Sequence, residues 1–91
     1  ALDTYIIHTY IHKDRAIDNK EFIEIAENNS YKITDYDDFI VAIKRNFNEI
    51  TIFKTKEKEV CINNVLCELG DFEVIEASIK LANTKIEDRG K

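Results

Sequence analysis

Between residues 4 and 12 the chain reads Thr-Tyr-Ile-Ile-His-Thr-Tyr-Ile-His, β-branched or aromatic almost throughout, which suits a pleated strand far better than a helix. Alternation sends Tyr5, Ile7, Thr9 and Ile11 to one face, the better core face, and Thr4, Ile6, His8, Tyr10 and His12 to the other. The next segment carries a full helix-start signature. Asp18 is the N-cap, Glu21 stands three residues on to close a capping box, and Ile17 and Phe22 are placed as a hydrophobic staple. The pattern predicts a helix over 19–28, buried along Phe22, Ile25 and Ala26 with Ile23 at the edge, and ended by Asn28-Asn29-Ser30. Glu21, Glu24 and Glu27 then face water.

A second helix is expected from Thr34-Asp35, because Tyr36, Phe39, Ile40, Ile43 and Phe47 keep helical spacing for three turns. Asp35, Asp37 and Asp38 in its first turn and Lys44 and Arg45 in its last would complement the helix dipole. From Glu49 the period shortens to β-rich runs at 50–54, 60–62 and 65–69, an antiparallel meander. Gly70-Asp71 opens a last helix over 72–84, with Asp71 as cap, Phe72, Ile75, Ile79, Ala82 and Ile86 as the apolar stripe, and Glu73, Glu76, Lys80 and Asn83 opposite. Ile75, Ala77, Ile79 and Leu81 also alternate as a strand would, but the longer helical period and the Asp71 cap favour the helix. The polar tail 85–91 is expected to fray. The fold class is therefore α+β: one small domain over residues 1–91, ordered β-α-α-β-β-β-α, with the helices packed on one face of an antiparallel sheet.

Ninety-one residues leave room for one core, and the 44% apolar share with five Phe and four Tyr can fill it. The charge is −5, from 13 basic and 18 acidic side chains spread along the chain with no basic tail or arm. Non-specific binding to nucleic acid or to an anionic bilayer draws on clustered Lys and Arg, so neither is expected. No apolar run approaches the ~20 residues of a membrane span and no signal core opens the chain, so the expected location is cytoplasmic. The preference for Ile, Lys and Asn over Val, Arg and Gly is what an AT-rich genome writes.

Few residues offer chemistry. His8 and His12 would pair on zinc if helical, but four strand residues span about 13 Å, too far for one ion. Cys61 and Cys67 fall on opposite faces if Asn63-Asn64 is a two-residue hairpin loop and about 20 Å apart if 59–68 is one strand; only a three-residue loop brings them opposite, so both are expected as reduced structural thiols. Asp35, Asp37 and Asp38 miss the Gly and closing Glu of a calcium loop, whose places hold Ile40 and Asn46. Ser30 and Ser78 lack a nucleophile elbow, and two glycines, Gly70 and Gly90, cannot build a phosphate-cradling loop. No catalytic residue, metal or cofactor is expected.

The helix-strand-strand-strand-helix order from 35 to 84, with Ala77-Ser78-Ile79-Lys80-Leu81-Ala82 as the apolar face of the last helix, resembles that of double-stranded RNA-binding domains. Such domains set a basic cluster where this chain has Asp71, Glu73 and Glu76, so the resemblance implies topology without RNA binding.

What remains is surface character. Glu21, Glu24 and Glu27 on the first helix, Asp35, Asp37 and Asp38 on the second, and Glu73 and Glu76 on the third make an array of exposed carboxylates. Such an array speeds and selects encounter with a basic protein. The expected function is a small acidic, non-enzymatic interaction domain of the inhibitor, immunity or anti-defence type, binding a basic, nucleic-acid-handling partner. The alternatives are a regulatory or assembly module forming a homo-oligomer, with strand one pairing edge to edge in a homodimer, and a small hydrolase or nuclease using His8 and His12.

Overall fold

A computed structural model describes residues 16–45 and 48–90, so the expected strand over 4–12, with His8 and His12, lies outside the described residues. Helix α1, Asn19–Asn28, forms where its local signals place it. Asp18 Oδ1 accepts from the Glu21 amide at 2.8 Å and Glu21 Oε1 accepts from the Asp18 amide at 3.2 Å, closing the capping box. Ile17, Phe22 and Ala26 are buried in the core. At its other end the Ser30 amide donates to Glu27 O and the Tyr31 amide to Ala26 O, a Schellman closure with Ser30 at φ 73°.

Four strands follow: β1 (Lys32–Asp35), β2 (Phe39–Ile43), β3 (Glu49–Phe53) and β4 (Val60–Asn63). They form one antiparallel sheet in chain order. The helix expected from Thr34 is thus a β-hairpin. Phe39 to Ile43 is an apolar run with Ile40, Val41 and Ala42 all buried, which suits a central strand. As a strand it pairs Ile40 with Ile52 and Ala42 with Ile50 while β1 takes its other edge, so backbone groups are satisfied on both sides. The helical spacing of Tyr36, Phe39, Ile40 and Ile43 was fortuitous. Asp37 and Asp38 make the hairpin turn, closed by the Tyr36 amide on Phe39 O at 2.8 Å, so they cap no helix. The order of described elements is α-β-β-β-β-α followed by a short 3-10 helix at Ile86–Asp88, and the helix-strand-strand-strand-helix order over 35–84 is not present.

The strand expected over 65–69 is a loop leading into helix α2, Leu69–Asn83. Buried Asn48 holds that loop in place of a neighbouring strand: its Oδ1 accepts from the Val65 amide at 2.8 Å and its Nδ2 donates to Leu66 O at 2.7 Å. Helix rather than strand is the outcome for 72–83, but the helix starts earlier and Asp71 stands three residues inside the N-cap Glu68. Its buried stripe is Asp71, Val74, Ala77, Ser78, Leu81 and Ala82, not the line through Phe72 and Ile79, both of which are exposed. Both stripes carry apolar residues, so the pattern alone left the rotation open. Small Ala77 and Ser78, and the anchoring of Asp71, set it.

Both helices lie on the sheet face that carries Ile40, Ala42, Ile50 and Ile52. Helix α1 packs on β1 and α2 on β3 and β4. This is the α+β arrangement with helices on one face. The helices run antiparallel: the Ile17 amide donates to Thr84 Oγ1, and Asn29 Nδ2 donates to Ile25 O and to Glu73 Oε1. Gly70 permits the latter crossing, since a Cβ there would stand 2.6 Å from Asn29 Oδ1. The tail expected to fray is instead docked through residue 90. Arg89, 3% exposed, donates to the carbonyls of Phe53, Lys56, Ala82 and Thr84.

Candidate functional site

The fold sorts the eight singled-out carboxylates into three groups. Glu24 and Glu27 on α1 and Glu73 and Glu76 on α2 are exposed on the outward side of the helical layer. Antiparallel packing brings the C-terminal half of α1 beside the N-terminal half of α2, with Asn29 bonded to Glu73 at 3.2 Å. Asp35, Asp37 and Asp38 sit at the β1–β2 hairpin tip, where Asp35 is ion-paired with Lys54. Glu21 closes the capping box and is only partly exposed.

The densest polar chemistry lies elsewhere, beneath the start of α2. Asp71 Oδ1 accepts from Tyr31 Oη at 2.8 Å and from Lys44 Nζ at 3.0 Å, while its Oδ2 accepts from the Glu68 amide at 2.8 Å. Asn64 Nδ2 donates to Tyr31 Oη at 3.2 Å, and Glu68 adds a second carboxylate 3.5 Å from Lys44 Nζ. Burial alone would raise the Asp71 pKa, but bonds from Glu68, Tyr31 and Lys44 hold the carboxyl below its ordinary value. Burial and the bond to Asp71 push the Tyr31 phenol up to about 12. The bond to Asp71 also raises the Lys44 ammonium, against partial desolvation. The phenol and the amine are donors and the carboxylate is their shared acceptor, so the three groups hold one another. The cluster ties the residue after β2, the segment between α1 and β1, and the first turn of α2 together. Periodicity missed Tyr31, Lys44 and Asn64. The one available signal was Asp71, an acid on an otherwise apolar helix side.

A half-open depression of about 550 Å³ lies at the opposite end, lined by Asn19, Lys20, Asp35, Lys54 and Arg89 among others. Its Lys54 and Asp35 pair with each other and Arg89 is held by carbonyls, while Asp18 and Lys20 complete its charged lining. Among the described residues no group of three or more His, Cys, Asp or Glu could hold a metal ion. Cys61 and Cys67 are both free, but Cys61 is exposed on edge strand β4 instead of buried, because its side chain lies on the sheet face opposite the core. Among the described residues no helix is long and apolar enough to cross a membrane. Comparison with family models, with curated proteins and with solved structures finds no match.

Proposed function

We propose that this chain is a small non-enzymatic protein-interaction domain whose acidic helical layer binds a basic, nucleic-acid-handling partner and occludes the groove that holds nucleic acid. The observation that supports this is the collection of Glu24, Glu27, Glu73 and Glu76 on one outward surface by two antiparallel helices. Carboxylates fixed on packed helices keep their positions on binding, so they steer encounter and select a complementary surface at little entropic cost. Affinity capture from the native host lysate tests the reading. A basic protein should be retained by the wild type, released as salt rises, and lost from a Glu24→Lys/Glu73→Lys variant. Retention of no basic protein, or retention indifferent to salt and to both substitutions, overturns it.

A further inference from the structure

Among the described residues, five of the eight large exposed hydrophobic side chains, Ile62, Val65, Leu66, Leu69 and Phe72, fall within eleven consecutive residues from the end of β4 to the first turn of α2, so the exposure is concentrated there. Val65 is 76% exposed, Leu69 89% and Phe72 58%. The backbone beneath them is held firmly, by Asn48 at Val65 and Leu66 and by Asp71 at Glu68. Leu69 and Phe72 are one turn apart on α2, and Glu73 and Glu76 continue the same outward face. Glu68 precedes them, and Glu49 stands opposite Asn63 at the adjoining strand end. Of the nearby cations Lys44 is taken by Asp71 and Glu68, Arg45 is exposed in the turn after β2, and Lys80 stands one turn beyond Glu76 on α2.

We propose that Leu69 and Phe72, flanked by Val65 and Leu66, anchor an amphipathic basic segment of a partner protein, with Glu73 and Glu76 meeting its Lys or Arg. This rests on the acidic-surface reading and locates its centre. A second copy docking on the same patch would set like carboxylates against each other, and an anionic bilayer would be repelled, whereas a basic amphipathic segment matches both the apolar stripe and its charge.

Fluorescence anisotropy with two synthetic probes, an amphipathic Leu/Lys helical peptide and an oligolysine of equal charge, tests it. The wild type should favour the Leu/Lys peptide, and Leu69→Ser/Phe72→Ser should remove about tenfold in affinity for it while leaving oligolysine binding unchanged. Both side chains are exposed, so circular dichroism should show an intact fold. Glu73→Lys/Glu76→Lys should weaken both probes. Oligolysine binding without any Leu/Lys preference, or a preference that survives the serine variant, overturns the anchor site alone. A Leu69-dependent preference with no oligolysine binding and no response to the charge reversals overturns the acidic-surface reading and, with it, the basic-segment proposal. Self-association abolished by Leu69→Ser, or binding to phosphatidylcholine/phosphatidylserine vesicles, assigns the patch to a second copy or a membrane and overturns the proposal.

Discussion

At one end of the helix–sheet interface Asp71, fully buried, takes hydrogen bonds from a phenol, an ammonium and a backbone amide, and at the other Arg89, nearly as buried, gives four to carbonyl oxygens. The first site neutralises a buried charge with an opposite charge. The second spreads a charge over backbone dipoles, with Glu57 as its acidic neighbour and burial pulling the guanidinium pKa down. The first therefore responds to pH through its partners, whereas the second is insensitive over the accessible range because the guanidinium stays protonated. Both stitch distant segments together: Arg89 joins the end of β3 to the end of α2, and Asp71 joins the start of α2 to β2 and to Tyr31.

The comparison can be broken most sharply at Arg89. Arg89→Ala removes the guanidinium from the carbonyls of Phe53, Lys56 and Thr84, while Ala82 O keeps the Lys58 amide, and should cost about 4 kcal/mol in urea unfolding, with the loss largely unchanged from neutral pH to about pH 2. A loss under about 1 kcal/mol would show that water replaces the guanidinium. Next comes Asp71→Ala, expected to cost about 3 kcal/mol at neutral pH by stranding Tyr31 and the Glu68 amide and leaving Lys44 only the Glu68 carboxylate. Asp71 has its folded pKa below 3.8, so its contribution is full above that value and is lost as pH falls through the folded pKa. Wild-type stability should therefore drop on the acid side, and Asp71→Asn should flatten that part of the profile while Arg89→Ala keeps it. The smallest effect is that of Tyr31→Phe, about 1 kcal/mol. Because the phenol titrates near 12 when folded and 10.0 otherwise, its contribution is present below pH 10.0 and lost as pH rises towards 12. A Phe variant that keeps the same alkaline decline would move that role away from Tyr31.

Signals of different range explain what could be read from residues alone. Helix α1 was fully legible because its cap, box and staple need only residues 17–22. The exposure of Glu24, Glu27, Glu73 and Glu76 followed from helical faces, but their gathering on one surface required α1 to lie antiparallel beside α2. Asp35 to Arg45 misled because acids leading and bases trailing an apolar run describe a dipole-matched helix and a hairpin equally well. Phe72 and Ile79 misled for a related reason: α2 is apolar on two sides and only one could be buried.

The amino-acid sequence by itself determined the α+β character, the acidic balance and helix α1, whose start is written in adjacent capping residues, since those interactions close within a few bonds of the chain. Tertiary structure alone decided that Phe39–Ile43 is a strand, which face of α2 turns inward, and that Asn48, Asp71 and Arg89 hold the molecule together. The physical reason is that a strand's hydrogen bonds and a buried charge's partners come from residues far along the chain: β3 for β2, Tyr31 and Lys44 for Asp71, Phe53 and Ala82 for Arg89.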